Sequence, residues 1–574
     1  HLDSLVAQAN WKINQGGLEA ELSHAEFAGP EAAGSAKGVY RTSGDGPGVV
    51  DMTAALTRAD ARAVWRYLPH VVGKATRHWL RDSLLSGKAT EAKLILKGDL
   101  RDFPFLDKSK GQFLVTVKAR DAVLDYGKDW PRIDGINGDL RFEGNGMVVD
   151  AQRGRILGAR LSNTHVVIPD FDAAVPILFV KGQADGPTSE FLKFIDQSPV
   201  AAQIDHFTED MRAVGNGRLD IDLTIPLEEA KLGESKIAGT YRMTNNEVTV
   251  DSALPPLRQV NGSIRFSGSD VSVPEITASL FGGPLKIQGG LQKDGRVLIT
   301  ANGSVDITQL RKQSDHPILS ALSGTTPYRG EIRINKRNAD LVVESTLAGL
   351  ASTLPAPFGK AAGEALPLRF EKLLLPPDTG NGKGAPVARD QISASLGSIL
   401  SMQIVRRRAS DGFEVDKGAI AIGRPLLLPD KGLSLSMTAK TLDLDAWQKL
   451  LDSAPVEPKE STGSSFSPDS ISLQAGDLVL RGVHWNDVDL QAVNDRRQWK
   501  MRLASRQAAG NIDWDGQGSG RLAMRLSRLA IDEAPAQPGT VPSEPTRKLP
   551  ALDIVADDFS VRQLRFGRLE LQAS

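Results

Sequence analysis

Cysteine is absent from the 574 residues, which excludes disulfides, thiolate metal sites and cysteine nucleophiles. A cysteine-free chain suits an oxidising compartment and tolerates a reducing one, so the count leaves the compartment open. Net charge is missing too. Lys and Arg number 69 against 70 Asp and Glu, a balance of −1 that lacks the basic surface of a nucleic-acid binder. No apolar run approaches the roughly 18 residues needed to cross a bilayer as a helix, and no secretory signal opens the chain. Walker loops, HExxH, GxSxG elbows and EF-hand loops do not occur. The serine of "GQGSG" (516–520) is misplaced for such an elbow, and the stretch reads as a turn before a strand. His70 and His78 lie on either side of a break at Gly73, so a solvated or packed role fits them better than a metal pair. These absences leave no convergent catalytic constellation, and no enzyme activity, cofactor or metal is expected.

What is present is alternation. Apolar residues make up 40 % and charged residues 24 %, enough for a folded core. In "GRLDIDLTIPL" (217–227), Leu219, Ile221, Leu223 and Ile225 fall on one side and Arg218, Asp220, Asp222 and Thr224 on the other. The same period of two runs through 111–119, 283–289, 330–336, 432–439, 520–529 and 564–572. It predicts strands with one dry and one wet face, hence a mainly β, antiparallel protein. Helices are expected only over 57–69, 73–87, 187–196, 306–313 and 444–452, as clips or caps on the sheet. The stretches 375–390, 453–470 and 532–550 are Pro/Gly/Ser-rich and read as loops, either linkers or insertions at a sheet edge.

One object occurs twice. "INGDLRFEGNGMVV" (136–149) and "VNGSIRFSGSDVSV" (260–273) align with Asn137 on Asn261, an offset of 261 − 137 = 124. The same offset carries Pro131 onto Pro255, Gly138 onto Gly262, Arg141 onto Arg265, Phe142 onto Phe266 and Gly158 onto Gly282. We expect one continuous body over 1–574, with a helical segment at 57–87 and repeats at 90–210 and 214–335. A third strand-rich section over 391–574 would carry the insert loops.

Between Tyr67 and Gly158 the chain resembles the YhdP branch of the bacterial AsmA-like superfamily. The resemblance rests on Leu68-Pro69, Trp79-Leu80, Gly87-Lys88-Ala89, "LILKGDLRDFPF" (94–105), "GQF" (111–113) and "LDYGKDWPRIDGINGDLRFEG" (124–144). "LAGLASTLPAPFGK" (347–360) adds to it. The resemblance implies a periplasmic protein of Gram-negative bacteria, tethered in the inner membrane and serving outer-membrane biogenesis. Its fold would be a long, twisted sheet curled into an open β-groove, a bridge-like architecture for phospholipid transport. The chain opens "HLDSLV" without Met and stops within a strand pattern, so it reads as part of a longer protein with its anchor elsewhere.

A one-sided sheet this long must cover its apolar face or curl around it, and helices are too few to cover it. Sandwich cores alternate in the same way, so periodicity alone leaves both solutions open; the resemblance favours the groove. The residues expected to line it are Leu94, Leu96, Val115, Val117, Leu140, Phe142, Leu219, Ile221, Leu223, Ile264, Phe266, Leu285, Ile287, Leu433 and Leu435. They would solvate acyl chains passively, without fixed polar hooks, because each extra 1.4 kcal/mol of local binding slows escape about tenfold. Phospholipids and the two membranes are then the partners, with envelope proteins possible and nucleic acid not. The alternative is a periplasmic scaffold or chaperone offering sheet edges to outer-membrane proteins. Trp65, Trp79 and Trp130 are expected to fill the junction of helix and sheet, and "VRRRAS" (405–410) to be the wet side of a strand plus its turn, the alternative being that its three arginines meet phosphate groups.

Overall fold

The computed structural model describes residues 2–14, 17–42, 44–68, 73–204, 206–250, 255–268, 270–293, 295–312, 314, 316–335, 338–378, 387–409, 412–452, 467–495, 498–516, 520–531, 551–562 and 564–573. Thirty-one strands belong to one mixed sheet that does not close. Six α-helices of four to ten residues accompany them among the described residues. Contacts divide the chain into two compact units, His1–Ala278 with Ile287–Val297 and Ser279–Lys286 with Leu298–Ser574.

In the first unit, from Ser4 to Ser267, each strand pairs antiparallel with its neighbour in sequence. The ladder starts at Ser4–Asn14 on Gly17–Ala28 and continues to Lys236–Thr249 on Leu257–Ser267. Short turns between alternating segments produce this meander, because hairpins are the shortest way to satisfy the next row of backbone groups.

The second unit departs from the antiparallel expectation at three places. Gly412–Ile422 pairs parallel with Gly432–Asp443, Gly432–Asp443 with Ser470–Leu480, and Arg521–Ile531 with Ala551–Val561. A parallel neighbour requires the chain to return to the end it came from. Two of the Pro/Gly/Ser-rich stretches, 453–470 and 532–550, belong to these return connections. Residues 379–386, 453–466, 517–519 and 532–550 of the expected loops and turn lie outside the described residues, as do Pro69 and His70.

Three helices stand where the pattern places them, at Thr188–Asp196, Ile307–Arg311 and Leu444–Asp452. The segment 57–87 is less helical than expected. Thr57 lies in the strand Val49–Asp60, and the helical turns are Ala61–Ala63 and Val64–Tyr67. Asp60 caps the first of these turns, its carboxylate accepting from the Arg62 N–H at 2.9 Å. The second helix is Lys74–Ser83, and from Leu84 to Asp99 the chain is a strand. That strand is flanked on both sides by pairing partners, and cross-strand packing overrides a local helical pattern.

The repeated asparagines share one geometry. Asn137 Oδ1 accepts from the Asp121 N–H at 3.1 Å while its Nδ2 donates to Gly135 O at 3.3 Å. At the same offset, Asn261 Oδ1 accepts from the Asn245 N–H at 2.8 Å and its Nδ2 donates to Gln259 O at 2.7 Å. Asp121, Gly135, Asn245 and Gln259 all carry positive φ, at 50°, 62°, 52° and 52°. The ladder slips register at both places. Each asparagine therefore clamps a β-bulge, which bends a strand and raises its twist. Replacing Asn137, 4 % exposed, by Ala is expected to cost about 1–3 kcal/mol by leaving the clamped backbone groups without partners. Asn261→Ala should cost less, because Asn261 is half-buried. Hydrogen exchange at Asp121 and Asn245 measures both.

Candidate functional site

Pairing register turns local alternation into long rows. In the first unit one row crosses twelve strands: Leu5, Phe27, Gly34, Leu56, Ala92, Val117, Leu140, Val149, Val166, Val180, Leu223 and Ile237. Each is the register partner of the next, and none is polar. Eleven steps of about 4.8 Å make a row on the order of 50 Å along the ladder. Beside it run Ala54, Leu94, Val115, Phe142, Met147 and Ile168. Leu96 pairs with Met52, Leu219 with Ala184 and Tyr241, Ile264 with Tyr241, and Phe266 with Gly239 opposite Ile221. Eleven of the expected lining residues, from Leu94 to Phe266, thus share this face.

The second unit builds its own row. It reads Gly330, Val343, Phe370, Ala394, Met402, Ile420, Leu435, Ile471, Ala492, Met501, Ile512, Met524, Ile554 and Leu571. Leu435 lies in it, with Leu433 in the adjacent row opposite Gly418. Leu285 and Ile287 alternate with exposed Pro284, Lys286 and Gln288.

One position over, the same strands carry charge on the opposite face. Glu91, Lys118, Asp139, Asp150, His165, Lys181 and Asp222 form a row. Glu91–Lys118 at 3.0 Å and Lys181–Asp222 at 3.2 Å are ion pairs within it. The Lys118 ammonium holds the Glu91 carboxyl below its usual pKa. A row of this kind prefers water on its side, which leaves the apolar face as the one in need of a cover.

Exposure shows what kind of face this is. Thirteen of the fifteen expected lining residues are half-buried; Leu285, 3 % exposed, and Leu433, 7 % exposed, are buried. Leu433 drops onto the sheet because Gly418 opposite has no side chain; a Cβ there would come within 3.0 Å of Leu433 Cδ1. Conversely, the largest fully buried side chains are polar, Asn246 and Asp390. The big apolar side chains stand in rows that remain partly open.

Helices cross this face at its margins. Thr188–Asp196 lays Phe191 on Tyr241, ring centroids 4.9 Å apart, and Phe194 on Trp130 at 5.9 Å. Its Glu190 carboxylate accepts from the Gly158 N–H of a hairpin turn at 2.8 Å. Beneath it, Thr188 Oγ1 donates to Asn246 Oδ1 at 2.5 Å and accepts from the Tyr241 hydroxyl at 2.9 Å. Burial raises the Tyr241 pKa and keeps that hydroxyl a neutral donor. In the second unit Leu444–Asp452 packs Trp447 against Leu442, Leu473, Ala475, Leu478 and Val488. Its Asp445 accepts from the Arg481 and Gly482 N–H groups, both at 2.7 Å. Of the three tryptophans expected at the helix–sheet junction, Trp130 fills it, Trp65 is half-buried with Arg66 over its ring, and Trp79 is 46 % exposed. His78 is exposed, and no group of metal-ligating side chains occurs among the described residues.

Two features escaped the sequence. The rows begin in strands such as "AAGSAKGVYR", where Ala and Gly leave no readable alternation, yet register places Gly34 and Ala36 in line with leucines. The second is charge on the apolar face. The arginine run 406–408 cannot lie wholly on the wet side, because successive strand residues point opposite ways. Arg407 faces the wet side and pairs with Glu414, whereas Arg406 shares the face of Ile404 and pairs with buried Asp390. The lining is therefore not free of fixed polar groups.

The YhdP protein family matches residues 1–574. A protein of Escherichia coli (strain K12) named intermembrane phospholipid transporter YhdP is 26 % identical over 325 residues, which cover 54 % of this chain and 25 % of that protein. The chain thus spans about a quarter of that relative's length. With the match running from the first residue to the last, the chain belongs to the YhdP protein family.

Proposed function

We propose that this chain is a section of a conduit for phospholipid between membranes, its apolar face curled into a groove that holds acyl chains. The observation that carries the reading is the pair of unbroken apolar rows, half-buried at most of their positions, with charge on the reverse side of the same strands. Covering the remaining half of such side chains is worth on the order of 1 kcal/mol each. A tail lying along a row replaces one set of contacts by an equivalent set as it moves, so it is held everywhere and trapped rarely. The intermembrane role in the name of the Escherichia coli relative agrees with this. We place the conduit in the periplasm, between inner and outer membrane, anchored by a segment beyond these residues. Its work is solvation and needs no catalytic group.

A photo-crosslinking amino acid at Phe266 is expected to capture lipid, and one at Arg265 to capture none, because these neighbours face opposite sides. Equal lipid capture at both would contradict the reading. Protein adducts from edge positions such as Trp11, without lipid at Phe266, would favour a scaffold for outer-membrane proteins instead.

A further inference from the structure

On the strand Leu400–Ala409 the apolar face reads Leu400, Met402, Ile404, Arg406, Arg408. Three apolar positions give way to two cations within about 14 Å, at ~3.4 Å per residue. On the neighbouring strands Ile392 is followed by Asp390, beside Arg406, and Lys372 stands in the row of Ile392 and Ile404, while Leu374, Val415 and Phe413 keep the flanks of the two arginines apolar. Over the strands 368–378, 387–396, 400–409 and 412–422, this face carries Lys372, Arg406 and Arg408 against Asp390, a balance of 3 − 1 = +2.

The arrangement is built rather than incidental. Asp390 is fully buried and grips Arg406 in a fork, Nε to Oδ1 at 2.9 Å and Nη2 to Oδ2 at 2.5 Å. The guanidinium also lies over the Phe413 ring, 4.7 Å from its centroid. Burying an ion pair on an apolar face adds little stability, since desolvation offsets the attraction. What it does provide is a guanidinium held in one orientation, with Nη1 making no hydrogen bond among the described residues. One step further along the strand, exposed Arg408 has neither hydrogen bond nor ion pair among the described residues.

An apolar surface that ends in two guanidinium groups, each with donors left over among the described residues, matches an amphiphile with a phosphate at one end. Guanidinium forks suit phosphate oxygens better than ammonium groups do. We infer that Arg406 and Arg408 form a station for the phosphate of a phospholipid head group, with its tails over half-buried Met402, Ile392 and Phe370. This rests on the conduit reading and adds to it a place where the cargo pauses and its head group is recognised.

The experiment uses the 574-residue chain and two fluorescent short-chain probes, a phosphatidylglycerol and the diacylglycerol with the same chains and label. Arg408→Gln leaves the buried pair intact, and the double variant Asp390→Leu/Arg406→Met replaces it by apolar groups. Each is expected to weaken phosphatidylglycerol binding about tenfold, the loss of one charge-assisted contact. Diacylglycerol binding should not change, and the difference between probes should shrink as salt is raised. Glycerol 3-phosphate, which has the phosphate without tails, should not displace the phospholipid probe. Equal weakening of both probes, or unchanged phosphatidylglycerol binding in Arg408→Gln, overturns the station and leaves the conduit standing. Displacement by glycerol 3-phosphate, lost in Arg408→Gln, reassigns the site to a soluble phosphate and overturns the head-group assignment. Failure of the unsubstituted chain to bind either probe removes the conduit, and the station with it.

Discussion

Phe266→Asp is expected to lower the lipid that co-purifies with the chain at least tenfold while the sheet remains folded. Phe266 lies against Gly239, where a Cβ would come within 2.4 Å of its Cζ, so the ring rests on bare backbone between Ile221 and the next strand. Aspartate removes the ring and puts a carboxylate where a tail would lie. Desolvating that carboxylate under hydrocarbon costs several kcal/mol, and 1.4 kcal/mol already corresponds to the tenfold loss. With no lipid on the face the carboxylate meets water, because the position is half-buried, and folding is spared. Arg265→Asp, facing the other side, should leave lipid content unchanged. Lipid mass spectrometry together with circular dichroism separates loss of lipid from loss of fold. Full lipid content in Phe266→Asp and in similar variants along the row would mean that the apolar face does not carry the cargo.

The second large effect concerns stability. Asp390→Ala and Arg406→Ala are each expected to destabilise the second unit by about 3–5 kcal/mol, since each leaves a buried or nearly buried charge without its partner. Asp390→Leu/Arg406→Met should recover most of that loss, because it removes both charges and keeps apolar volume. Hydrogen exchange in strands 387–396 and 400–409 under rising urea is the suitable readout, since a chain with two compact units need not unfold in one step. A double variant as unstable as the single ones would show that the pair acts through more than its mutual charge.

Much of the candidate face was legible before any coordinates. Leu219, Ile221 and Leu223 alternate with charges, and alternation in a strand admits one physical outcome, opposite faces. The same argument correctly set Phe142 and Phe266 apart from Arg141 and Arg265. It failed where residues are too small to show a pattern, as in Ala32–Arg41, and where a parallel partner is reached over a long connection, as at Ala551–Val561. It also misjudged the arginine run, which was read as a block of charge rather than residue by residue along a strand.

The division has a physical cause. Side-chain chemistry at period two decides within a single strand which residues avoid water, so the amino-acid order alone determined a β protein with one dry face. Register between strands depends on bulges, turns and return connections whose partners lie tens of residues away. Only the tertiary structure could align Leu56, Val117, Val166 and Leu223 into one row, clamp a bulge with Asn137, or bring Asp390 against Arg406.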